Sequence, residues 1–261
     1  MTTFSRRYAS GEHEAVWNDL RSLGPVPGRL REDVADVARQ TMVRVAAHLR
    51  RLAEDAPAAG LKPLHDCGPT PPAPDERAVI ERMDREVGGL PAALVACVYE
   101  TGRFSLIGDW PVLGLHHDDW TDVPDGAGVL FCDPLDLPGA AGPDNEWRDH
   151  WDEWRDHWGE WKDDWREGLD DRADGRERGR PFRLPFAPDE VLKTGYGGLS
   201  HNIEIPGTGA DPVLWGVMYR PGITLVEYLR VSVAWGGFPG WEFVEGPVPE
   251  ALSGLRRDPD F

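Results

Sequence analysis

The sequence predicts an α+β fold: a twisted, mostly antiparallel sheet packed by helices, preceded by a helical hairpin and interrupted by an inserted amphipathic Trp-rich helix. Three observations carry this expectation. Apolar residues recur at helical spacing over the first hundred positions, and the period shortens to that of strands after Gly102. Six tryptophans between Trp147 and Trp165 then stand 4, 3, 4, 3 and 4 residues apart, the spacing of one helical stripe.

Residues 8–23 and 30–56 read as two helices. The second places Val34, Val37, Ala38, Val45, Leu49 and Leu52 on one face, and Gly24, Pro25, Pro27 and Gly28 make the turn between them. Residues 1–66 are therefore expected as a helical hairpin extension. The stretch Gly68 to Pro74 holds four prolines and cannot continue a helix, which marks 67–75 as a linker. Asp75 begins a short helix carrying Val79, Ile80, Met83 and Val87, stopped by Gly88-Gly89. Pro91 suits the first turn of the next helix, which carries Leu94, Cys97 and Val98.

Beyond Gly102, Phe104–Ile107, Val129–Cys132, Arg183–Phe186, Ile203–Ile205 and Val213–Tyr219 are short apolar runs bounded by Gly, Pro and Asp, and predict about five strands. Thr224 and Glu227 form a T-x-x-E capping signature before Leu225, Val226 and Leu229, and Gly236-Gly237 stops that last helix. The main domain is expected over 76–250, with a helical insertion at 144–180 and a tail at 251–261.

The insertion holds three near-copies of a heptad, EWRDHWD, EWRDHWG and EWKDDWR. Trp147, Trp151, Trp154, Trp158, Trp161 and Trp165 share one face and present on the order of 1,000 Å² of indole, more than a soluble monomer leaves bare. Something must cover them. With Trp151, Trp158 and Trp165 at position a, a parallel pairing sets His150 against Arg155 and His157 against Lys162, and an antiparallel one sets basic e positions together. Neither specifies self-pairing. Docking on the chain's own body is favoured, ahead of partner capture and self-association, and a monomer ahead of a homo-oligomer.

The formal charge of −18 argues against nucleic acid or an anionic membrane and would attract a basic protein. No apolar run approaches a membrane span, and Arg6-Arg7 lacks the apolar stretch of an export signal. Cys67, Cys97 and Cys132 are scattered and without CxxC spacing, which suits reduced thiols in a cytoplasm and gives no structural zinc site.

Catalytic motifs are wanting. Gly195-Tyr196-Gly197-Gly198 has neither P-loop nor dinucleotide spacing, and His13-Glu14 meets Trp17 where a zinc-protease motif needs its second histidine. His116, His117, Asp118 and Asp119, with Trp120 beside them, form the densest group of possible ligands. No second cluster completes a metal site, so a polar, partner-facing loop is expected there. His201 is a lone histidine beside Asn202, with no triad partners identified, and reads as a structural histidine. No catalytic, metal or cofactor site is expected.

From Asp75 to Glu242, the order of short motifs resembles the SUKH superfamily. Leu90-Pro91 with Leu94, Tyr99 to Gly102, Phe104 to Gly108, Cys132-Asp133-Pro134-Leu135 and Thr224 to Gly240 carry the resemblance. It implies an α+β binding scaffold without catalysis, most often an immunity protein that binds and neutralises a cognate toxin, commonly a basic nuclease. A structural or regulatory adaptor is the competing expectation, in which the Trp helix recruits a partner or self-associates. The hairpin and the Trp insertion are additions to that pattern.

Overall fold

A computed structural model of the chain describes residues 3–64, 66–114, 133–137, 147, 151–152, 154–155, 181–189, 199–207 and 209–261. It is an α+β fold in which helices dominate. The expected first helix is two: α1 (Phe4–Ala9) and α2 (His13–Ser22). Gly11, at φ 100°, leaves helical geometry between them. Both pack on α3 (Arg31–Asp55), whose apolar stripe is buried as its periodicity requires. Polar contacts fix the pairing: Phe4 and Ser5 N–H donate to the Asp33 carboxylate at 2.7 and 3.0 Å, and Trp17 Nε1–H donates to Thr41 Oγ1 at 3.0 Å.

After α3, β1 (Lys62–Pro63) leads into the proline-rich stretch, which is held in place. Thr70 and Arg103 exchange backbone hydrogen bonds of 2.8 and 2.9 Å. Gly102 lies so close beneath that a Cβ there would stand 1.9 Å from Thr70 O. Next come α4 (Pro74–Val87) and α5 (Ala92–Glu100). The buried Glu76 carboxylate accepts from Ala73 N–H at the start of α4, in the manner of a capping residue reaching back.

Among the described residues the strands pair as three separate antiparallel ladders. β1 joins β3 (Gly108–Asp109), β2 (Phe104–Ser105) joins β4 (Asp136–Leu137), and β5 (Phe182–Pro188) joins β6 (Ser200–Ile205). The expected run Val213–Tyr219 is not a strand. Val213 bridges Thr224 whereas Trp215 bridges Asn202, so this segment crosses between two partners instead of running along one. The expected strand Val129–Cys132 lies outside the described residues.

α6 (Leu225–Ala234) is the predicted last long helix, with a different cap. The Thr224 side chain makes no capping hydrogen bond; Val226 N–H donates to Asp211 Oδ1 at 3.0 Å, and Arg21 Nε pairs with Asp211 at 3.0 Å. Burial raises the Asp211 pKa, against the pull of Arg21 and Val226 N–H. α7 (Glu250–Leu255) follows, and Leu252, Leu255 and Phe261 are buried. One contiguous apolar cluster runs from Tyr8 to Phe261, with α3, α5 and α6 meeting at its centre.

Candidate binding face

The described part of the tryptophan segment, Trp147, Trp151, Asp152, Trp154 and Arg155, is helical and sits on α4 and β5. Trp147 Nε1–H donates to Pro185 O at 2.6 Å and Trp151 Nε1–H to Glu86 Oε2 at 2.7 Å. Trp151 meets Phe182 edge-on with centroids 5.3 Å apart, Trp154 lies 5.6 Å from the same ring, and Arg82 pairs with Asp152 at 2.8 Å. Trp147 and Trp151 are buried and Trp154 half-buried, so the first two offer no surface to a partner in this arrangement. Trp158, Trp161 and Trp165 lie outside the described residues, as do His116, His117, Asp118, Asp119, Trp120 and the Gly195–Gly198 turn.

A different group converges beneath the surface. Asp133 is fully buried and holds a left-handed backbone at φ 44°, a conformation that Asp tolerates better than most residues. The hydroxyls of Tyr219 and Tyr228 both donate to its Oδ2, Tyr228 at 2.9 Å, and His201 Nε2 stands 3.5 Å from that oxygen. The His201 and Tyr228 rings meet edge to face, 5.7 Å apart. Four elements are tied at one carboxylate: the turn before β4, β6, the crossing segment and α6. His201 does have an acid, brought from 68 positions earlier (201 minus 133). The pair is sealed from solvent and two tyrosine hydroxyls share its carboxylate, so it acts as a clamp.

What the clamp holds is the segment Trp215–Arg220. Leu214 and Val217 anchor it in the core, Trp215 exchanges two 2.8 Å backbone hydrogen bonds with Asn202, and Tyr219 reaches down to Asp133. Between these anchors Trp215 and Met218 point outward, 47% and 57% exposed. Leu199 is exposed at the start of β6, the strand that Trp215 bridges at Asn202; Phe243 stands 5.7 Å from the Tyr219 ring, with the Arg220 guanidinium 5.6 Å above its own ring. Glu242 pairs with Arg220 beside it. The result is an exposed aromatic and thioether surface on a rigid support, the composition of an interface centre. The sequence reading placed Val213–Tyr219 in the sheet, because Val-Leu-Trp and Val-Met-Tyr look like a buried run. Only Gly216 within the run and Pro221-Gly222 after it signal a loop.

A concavity of about 590 Å³ lies between α3 and α5. Val34, Ala35, Leu90 and Val95 line its apolar part, and Arg31, Arg39, Asp84 and Glu100 stand along its sides. Charges of both signs leave it without a preferred ligand charge. Among the described residues, no group of three or more His, Cys, Asp or Glu side chains is placed to hold a metal ion. Cys97 fills space in the core, and burial pushes its thiol up to about 11. No described helix is long and apolar enough to cross a membrane. No family model, curated protein or solved structure matches the chain.

Proposed function

We propose that the chain is a non-catalytic binding module of the immunity type, which grips and neutralises a basic protein through the face made by Trp215, Met218, Leu199 and Phe243. The observation that carries this reading is the clamp: Trp215 and Met218 are outward-facing on a segment anchored by Leu214, Val217, the Trp215–Asn202 bonds and Tyr219, so little conformational freedom is lost on binding. The net charge of −18 favours a cationic partner and fast, steered encounter, while the apolar face supplies slow dissociation. The SUKH-like order of motifs agrees with a scaffold that works by binding.

The test is titration with the basic product of a gene adjacent to this one, and with other small basic proteins as controls. We expect tight binding to the neighbour's product that weakens with salt, protection of cells from its toxicity, and a loss of about 30-fold or more for Trp215→Ala, the size of an interface hot spot. Unchanged affinity in a folded Trp215→Ala, Met218→Asp double variant would exclude this face. No binding by the intact chain to any basic neighbour would exclude the immunity role.

A further inference from the structure

We infer that the α4 and β5 face is a seat that reads one tryptophan heptad, and that Arg82 selects which heptad occupies it. Most contacts in the seat are indifferent to the choice. Trp147, Trp151 and Trp154 make them through Pro185 O, Glu86 and the Phe182 ring, and seven residues on Trp154, Trp158 and Trp161 repeat the same side chains at the same spacing. The heptads EWRDHWD and EWRDHWG differ only at the last residue, Asp152 against Gly159. Asp152 is the residue that Arg82 holds at 2.8 Å.

The third heptad ends in Arg166, which would oppose Arg82, and offers Gly168 where the third indole is needed. The position facing Arg82 therefore reads attractive, neutral and repulsive along the three copies. Chain length permits the second choice. A slip of seven residues moves the helix by about 10 Å. It lengthens the link from Leu137 from nine residues (138–146) to sixteen (138–153), and shortens the return to Pro181 from 26 (155–180) to 19 (162–180). Nineteen residues still reach roughly 60 Å when extended. An ion pair of this exposure changes the ratio of the two registers by roughly two- to fivefold.

Hydroxyl-radical footprinting of the whole chain, read by mass spectrometry at each tryptophan, tests this with the exchange variant Asp152→Gly, Gly159→Asp. We expect Trp147 and Trp151 to be oxidised several-fold faster than in the parent and Trp158 to be as slow as Trp151 is in the parent. Trp17 and Trp110, fully buried away from the seat, should stay slow and so report an intact core. Two results overturn the inference: an unchanged Trp147 rate, or fast oxidation of Trp147, Trp151 and Trp158 together, which is undocking without reseating. Should Trp17 and Trp110 become fast, Arg82→Ala replaces the exchange, since it leaves all heptads intact. Its expected result is a few-fold faster Trp147 with Trp17 unchanged, and an unchanged Trp147 rate again overturns the proposal.

Discussion

Asp133 concentrates more of the fold at one atom than any other described carboxylate. It is fully buried, two tyrosine hydroxyls converge on it, and His201 faces the same oxygen. Removing the carboxylate leaves buried donors without their acceptor, which costs more than the bonds themselves contribute. Asp133→Ala is expected to lower stability by about 3–5 kcal/mol, as removing one partner from a buried polar network does, and urea unfolding would measure it. Tyr219→Phe is the milder probe. It frees the Trp215–Arg220 segment from the clamp while keeping the ring against Phe243, so it should weaken partner binding with a smaller loss of stability. Equal affinity for parent and Tyr219→Phe would show that the clamp does not prepare the face.

The helices show how a local pattern and a distant contact divide the work. For α6, the T-x-x-E signature correctly marks where the helix begins, yet Asp211 supplies the cap. Thr224→Ala should therefore change stability by only a few tenths of a kcal/mol, whereas Asp211→Ala should cost about 1–2 kcal/mol by uncapping α6 and leaving Arg21 with Asn18 but no ion-pair partner. Thermal unfolding of the two variants side by side tests the assignment, and a larger loss for Thr224→Ala would reverse it. The long elements α3, α5 and α6 are legible in the sequence because period 3.6 and Pro or Gly punctuation are local signals. The Trp stripe was legible as a face in need of cover. Its seat was not, since Phe182, Glu86 and Arg82 come from segments separated from their partners in the Trp helix by 28 to 70 positions (182 minus 154; 152 minus 82). The clamp was hidden for the same reason: its hydrogen bonds span 86 and 95 residues. The loop Trp215–Arg220 misled because exposure is a property of the assembled surface, and an outward tryptophan carries no mark of it in sequence.

At the scale of the molecule, charge and pH act on the seams between elements. Asp260 joins the end of the described chain to α3 through His48 at 2.9 Å and Arg44 at 3.3 Å, and the His48 hydrogen bond chiefly holds its carboxyl below the usual range. Asp33, which ties α1 to α3, is also lowered: burial works to raise it, but the Ser5 and Phe4 donors outweigh that. A carboxyl whose folded pKa is depressed stabilises fully above its unfolded value, near 3.8, and loses that contribution as pH falls through the folded value. Through these two carboxyls stability should hold from neutral pH to about pH 5 and fall below pH 4, an acid limb that the raised carboxyl of Asp211 works against. Asp33→Asn should flatten that acid limb, with melting temperatures from pH 3 to pH 7 as the readout.

The Arg21 to Asp211 pair also sets an order in time. Its partners are 190 residues apart, and through Asp211 it holds the first turn of α6. On a ribosome adding about 5–20 residues per second, Arg21 is made roughly 10–40 s before Asp211 exists. During that interval α1, α2 and α5 can cover most of α3, but the part that meets α6 has no cover, so the newborn chain carries a bare apolar strip there. The half-made protein should engage a holding chaperone at this stage and release it once residues near 230 have left the tunnel.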